Sequence, residues 1–358
     1  MKTLIIGFGA VARGYIAPLF KENKLDPIFC LSKERWNQYE KNSSKEYKIL
    51  RIAPDWKTVT EETYNAIETI PCYNGENASR EILQNSKNTQ LILTAVGASN
   101  LPSITPLIKE IIRERAKQGT EQYLNILLIE NLTLSCKEVN TLEETLMHDL
   151  GKYYDYFKNY IGIVDTLTEI TCVSKKNLDV ISDNNLDIYI NKNRLKGNLP
   201  LTSCQIHLEN DIEPMRARKL FIQNFIDTAA AYLGAKYDYD KIHKVMNDSR
   251  ALIIIEGALE EIKKALSLKY FSHQELTTSK LEDYAEKQKL RIKCPLMEDT
   301  VERIAREPRR KLGKDERLLG AALLSVEMGI PPVNILECAK AAAEYWRRKI
   351  NITKPREG

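Results

Sequence analysis

An α/β N-terminal half followed by a mainly α-helical C-terminal half is the architecture this sequence predicts, on three observations. Short apolar runs alternate with amphipathic stretches through the first half. A glycine-rich turn follows the first of those runs, and from residue 214 onward nearly every segment has helical period. The 358 residues suffice for two domains, and 43% hydrophobic with 28% charged residues is an ordinary folded composition.

The strand-like runs of the first half are 3–6, 27–31, 90–95 and 125–129, each short, apolar and bounded by polar or turn residues. Between the last two, 101–118 carries Ile104, Leu107, Ile108, Ile111 and Ile112 at helical spacing. That rhythm predicts a parallel sheet covered by helices. Further strands at 160–164, 169–173, 178–181 and 186–190 leave too little chain for crossover helices, so a mixed or antiparallel extension of the sheet is expected. The pattern changes near 197–204, giving domains at 1–203 and 204–358. Helices then follow at 216–233, 250–270, 280–293, 297–306, 316–328 and 333–347. They are punctuated by Gly234, Pro295, Pro308, Gly329, Pro331 and Pro332. The polar tail at 351–358 is expected to fray.

Composition excludes several classes. The seven cysteines are scattered without a CxxC pair, and the four histidines form neither HxxxH nor HExxH, so no metal site is expected. The same cysteine usage fits a reducing cytoplasm. A net charge of +4 gives no nucleic-acid footprint, and no apolar run reaches the ~18–20 residues of a membrane span. Residues 1–7 look superficially like a leader, but glycines and Arg13 interrupt the run.

The first strand instead runs into Gly7-Phe8-Gly9-Ala10-Val11-Ala12, the G-x-G-x-x-A form of the dinucleotide fingerprint. Gly7 permits the tight turn, Gly9 admits the pyrophosphate, and Ala12 lets helix and strand approach. Ala10 and Val11 open the helix whose N–H groups face the anion. The N-terminal half is therefore read as a Rossmann-type dinucleotide-binding domain. Its second strand ends Cys30-Leu31 without a carboxylate, and Ser32, Lys33 and Arg35 follow. Those groups suit a 2′-phosphate, so NADP is expected in preference to NAD.

Several segments together resemble the polyol-specific long-chain dehydrogenases. They are 7–14, Thr94-Ala95-Val96-Gly97, 124–126 with Glu130-Asn131, 162–165, Arg218-Lys219-Leu220-Phe221 with Asn224, and Arg310-Lys311-Leu312 with 315–318. Their order covers the chain to about residue 345. The resemblance implies an NAD(P)-dependent oxidoreductase acting on a carbonyl or hydroxyl of a small polar substrate. It makes Lys219 the general base and Asn224 and Asn131 the groups that polarise the substrate oxygen, chemistry that suits a desolvated amine and neutral amides. Thr94 to Gly97 would line the nicotinamide side of the cofactor.

One departure stands out: the family pattern ends in histidine where this chain has Asp227. A carboxylate there points to an amino-bearing or otherwise modified sugar or polyol, with an ordinary sugar-phosphate dehydrogenase as the alternative. Arg310, in the densest basic region, is the candidate for a substrate anion. A catalytically idle dinucleotide sensor is the competing class. A monomer or homodimer without nucleic-acid or membrane partners is expected.

Overall fold

A computed structural model describes residues 2–41, 46–65, 69–71 and 76–353. One compact unit takes the residues up to Pro54 together with Thr58–Ile212; the other takes Asp55–Lys57 and the residues from Glu213 on.

The strands of the first unit are β1 (Lys2–Ile6), β2 (Asp26–Leu31), β3 (Glu46–Ile52), β4 (Val59–Asn65), β5 (Thr69–Pro71) and β6 (Thr89–Thr94). They continue as β7 (Leu124–Leu128), β8 (Ile161–Thr168), β9 (Cys172–Ser174), β10 (Val180–Ser182), β11 (Ile188–Asn191) and β12 (Ile206–Glu209). Eight form one sheet in the order β12-β11-β8-β7-β6-β1-β2-β5. From β5 to β8 every pairing is parallel; β11 then runs antiparallel to β8. Its central strands are buried on both faces, which is why they read as unbroken apolar runs. Leu4, Ile6, Ile92 and Ile126 face one core cluster, whereas Ile5, Leu91, Leu93 and Leu127 face the other. Helix Leu101–Lys117 closes the first face with Ile104, Ile108, Ile111 and Ile112. Each such full burial contributes roughly 1.5–3 kcal/mol before ordering entropy. The strand order reverses direction at β1, between β2 and β6, and a doubly wound sheet binds its ligand at the carboxyl ends of such strands.

The expected mixed extension is present in β8 and β11, with β12 added beyond the expected strands, but two of the expected strands lie elsewhere. β9 and β10 join a separate four-stranded sheet, β4-β3-β10-β9. The β3–β4 hairpin within it was not visible in the sequence, because β4 (Val-Thr-Glu-Glu-Thr-Tyr-Asn) is polar and mostly exposed. β12 pairs with β11, so the first compact unit runs on to Ile212.

The second unit is helical among its described residues. Glu213–Arg218 runs without a break through Lys219–Gln223 into Asn224–Lys236. Ser249–Lys269, Thr278–Lys293, Leu319–Glu327 and Val333–Thr353 surround it, and Ala229, Ala230 and Ala231 let the helices approach closely. The helix expected at 297–306 shrinks to Val301–Ile304, because Glu298 takes a left-handed φ of 51° after the tight turn Pro295–Met297. The last long helix reaches Thr353, and the remainder of the tail lies outside the described residues.

Candidate active site

The turn after β1 is built by close backbone approach. Gly7 has φ 115°, and a Cβ there would lie 2.4 Å from the Ala95 carbonyl oxygen. Glycine is obligatory at that point for the protein itself. Gly9 differs: a Cβ there would meet nothing nearer than the Ala95 oxygen at 3.7 Å. Internal packing would tolerate alanine at 9, so the glycine fits a ligand that approaches the backbone from outside, as a pyrophosphate does. Ala10 and Val11 are partly exposed and open the helix, whose next segment, Ala12–Ile16, is a π-turn closed by the Ala17 N–H on the Ala12 carbonyl. Ala12 is fully buried, and it is Gly14 that meets the small sheet most closely.

Beside this turn the end of β6 is held in place by an acid. The Glu130 carboxylate accepts the Val96 N–H at 2.9 Å and the Gly97 N–H at 2.7 Å, and Gly97 has φ 91°. Burial pushes this carboxyl above the usual range, while the two backbone bonds pull the other way. Thr94 is buried; Ala95 and Val96 are partly exposed where the strand ends meet. Glu130 thus ties the 94–97 segment to exposed Asn131. Glu130 had no assigned role in the sequence reading; a carboxylate adjoining a candidate catalytic asparagine is the signal that could have marked it. At the end of β2, Leu31 is buried, Ser32, Lys33 and Glu34 are exposed, and Arg35 lies in the following helix with its side chain outside the described residues.

In the second unit Lys219 begins another π-turn, Lys219–Gln223, in which the Asn224 N–H bonds the Lys219 carbonyl. Residues five apart on an α-helix lie about 140° apart around its axis. The extra residue in a π-turn brings the two into near register instead, so Lys219 and Asn224 come to share a face. Lys219 is buried and Asn224 half-buried. The neighbouring Arg218 stacks 4.2 Å from the Tyr284 ring centroid, and the Tyr284 hydroxyl donates to Gln223 at 3.0 Å. These contacts fix the rotation of the segment.

Asp227 lies three residues on, and its carboxylate accepts from Arg291 at 2.6 Å. Arg291 is buried and also donates to Gln288 at 2.8 Å. The basic region is laced with acids. Arg310 reaches Glu316 at 2.7 Å and Glu307 at 3.1 Å, while Arg317 bonds Glu316 at 2.9 Å. Arg303 pairs with Asp299. Buried Lys311 donates to the Ile304 carbonyl, and burial beside Arg317 and Arg310 pulls its amine down to about 7. Sequence reasoning singled out neither Arg291 nor Lys311 individually. Among the described residues no group of His, Cys, Asp and Glu could hold a metal ion. No described helix is long and apolar enough to cross a membrane.

Comparison with known proteins agrees with this layout in both halves. Residues 1–203 match the mannitol dehydrogenase Rossmann domain, and residues 211–352 match the mannitol dehydrogenase C-terminal domain. Mannitol-1-phosphate 5-dehydrogenase of Caldanaerobacter subterraneus subsp. tengcongensis is 30% identical over 342 residues, 94% of this chain and 84% of that protein. The enzyme of that name from Buchnera aphidicola subsp. Acyrthosiphon pisum is 30% identical over 98% of this chain and 88% of its own length. The fold is shared with Pseudomonas fluorescens mannitol 2-dehydrogenase, solved with NAD and D-mannitol. That structure has a TM-score of 0.74 and 12% identity, covering 96% of this chain and 79% of the other. A D-sorbitol dehydrogenase, solved substrate-free, gives a TM-score of 0.75 at 12% identity with the same coverage of both chains. The chain belongs to the mannitol dehydrogenase family and is an oxidoreductase acting on CH–OH groups.

Proposed function

We propose that this enzyme interconverts a ketose phosphate and the corresponding polyol phosphate, using a nicotinamide dinucleotide. The observation that carries the reading is the π-turn that aligns Lys219 with Asn224, in a chain whose full-length relatives act on mannitol 1-phosphate. The nicotinamide, when bound, accepts or returns the hydride. Gly7 and Gly9 open the turn to its pyrophosphate, and Ala10, Val11 and Ala12 form the helix entry behind it. Thr94, Ala95, Val96 and Gly97 form the neighbouring wall. Lys219 takes the hydroxyl proton in oxidation and gives it back in reduction. Asn224 and Asn131 donate hydrogen bonds to the reacting oxygen.

Asp227 bears on the choice between the two substrate readings of the sequence. An amine-bearing substrate needs a carboxylate ready to receive an ammonium, and this one is already held by the buried Arg291 guanidinium. Displacing Arg291 would strand a buried charge. The structure therefore favours the sugar phosphate, with Arg310 as the residue nearest in sequence pattern to an anion-binding role, although Glu307 and Glu316 engage two of its nitrogens.

For the cofactor, Ser32 and Lys33 stand at the end of β2 where an NAD-selective site would carry an acid, which favours NADPH. The test is reduction of fructose 6-phosphate, with dissociation constants measured for both cofactors. Turnover of about 1–10³ per second, with NADPH bound more tightly than NADH, is expected. Tighter binding of NADH would overturn the cofactor preference. Binding of both without turnover of any ketose phosphate would overturn the substrate.

A further inference from the structure

Arg13 interrupts the apolar run at the start of the helix that follows the glycine turn, and the reaction as described makes no use of it. Its side chain is buried, 2% exposed, on the inner side of that turn. Nε donates to the Leu178 carbonyl at 2.8 Å, and one terminal nitrogen donates to the Ser174 hydroxyl at 3.1 Å. The other terminal nitrogen donates to the Phe8 carbonyl. Ser174 is the last residue of β9, and Leu178 lies in the loop between β9 and β10. The guanidinium therefore spans from the small sheet to the glycine turn. It also stands over the Phe8 ring, 5.1 Å from the centroid, while that ring packs edge-on against Phe29, Tyr39 and Tyr47.

The bond to Phe8 has a geometric consequence. The Phe8 carbonyl and the Gly9 N–H belong to one planar trans peptide and so point in opposite directions. Holding the carbonyl inward, against a buried guanidinium, aims the Gly9 N–H outward. Separately, a Cβ at Gly9 would meet only the Ala95 oxygen, at 3.7 Å, so the turn is uncrowded at this residue. The same sheet also secures two peptides further along the helix. The Tyr47 hydroxyl donates to the Arg13 carbonyl at 3.2 Å, and Arg51 donates to the Gly14 carbonyl at 3.2 Å. Arg51 is itself buried and fixed by Ser182 at 3.2 Å. These carbonyls lie inside the π-turn Ala12–Ile16, where the widened helix alters the usual pairing.

We propose that Arg13 is a positioning residue for the cofactor: anchored on Ser174 and Leu178, it locks the Phe8–Gly9 peptide with the Gly9 N–H turned toward the pyrophosphate. The inference rests on the dinucleotide reading of this turn and extends it to the small sheet. That sheet then acts as the backing of the phosphate site.

The test measures dissociation constants of NADH and NADPH by nicotinamide fluorescence for the wild type, Arg13→Met, Arg13→Lys and Ser174→Ala. Melting temperatures without cofactor are recorded in parallel. Arg13→Lys keeps the charge and the stem but loses the fork that reaches two elements at once. Both Arg13 variants should bind both dinucleotides roughly ten- to hundredfold more weakly, the range of one charge-assisted hydrogen bond. Ser174→Ala should weaken binding by a smaller factor in the same direction. In steady-state assays the loss should fall on the cofactor KM rather than on kcat. Tyr15→Phe is the control for a purely structural role, since it removes the bond of a buried hydroxyl to the Leu186 carbonyl on the same helix. It should lower the melting temperature and leave the dissociation constants alone. If Arg13→Met does not fold, Arg13→Lys and Ser174→Ala carry the decision. Folded Arg13→Lys and Ser174→Ala proteins that bind within twofold of wild type would overturn the proposal. Failure of the wild type to bind either dinucleotide would instead overturn the cofactor reading itself.

Discussion

Lys311 shows how burial sets the chemistry of single residues in the second unit. Desolvation, with Arg317 and Arg310 close by, holds its amine at about 7, against 10.5 for an ordinary lysine. Between those two values the unfolded chain binds the proton that the folded chain has lost, so folding stability rises with pH across that window. Lys311→Met has no such group. The stability of wild type relative to this variant should therefore climb between pH 7 and pH 9, by on the order of 1–2 kcal/mol. Urea unfolding at the two pH values checks this, and an unchanged difference would contradict the assignment. The sequence placed Lys311 in a basic run but could not show its burial, which depends on helices distant in the chain. Lys219 and Asn224 were legible only through family resemblance, because a lysine on an amphipathic helix is by itself unremarkable. The pairing of Asp227 with Arg291 joins positions 64 apart in sequence, and no local pattern announces it.

Among elements, the two π-turns are the ones the proposed function draws on. One opens the helix behind the glycine turn, and the other brings Lys219 and Asn224 onto one face. The glycine fingerprint located the first helix and helical period the second, but a single inserted residue per turn leaves too faint a trace in the pattern to be read. The first π-turn packs on β9 and β10 through Gly14, where a Cβ would lie 2.8 Å from Val180 Cγ1 and 3.1 Å from Cys172 Sγ. Gly14→Ala ought to gain up to about 1 kcal/mol from helix propensity. Overpacking against the sheet costs about 1–3 kcal/mol and should win. A lower denaturation midpoint, with weakened dinucleotide binding, is expected. A variant as stable as wild type would show that the sheet yields and does not constrain the helix.

At the scale of the whole molecule, the parallel sheet and the change to an all-helical second half were legible because long apolar runs and helical periods report directly on burial. The small sheet was not, because β4 is polar and mostly exposed and the strands are drawn from two separate stretches of chain. If Arg13 positions the Phe8–Gly9 peptide as proposed, that sheet supports the glycine turn. In the proposed function hydride transfer depends on Lys219 to move the proton. The most direct measurement is the turnover of fructose 6-phosphate by Lys219→Met, alongside its dinucleotide dissociation constant. Cofactor binding within a few-fold of wild type and turnover reduced by roughly 10²–10⁴ are expected. Turnover within tenfold of wild type, with the cofactor still bound, would contradict that role.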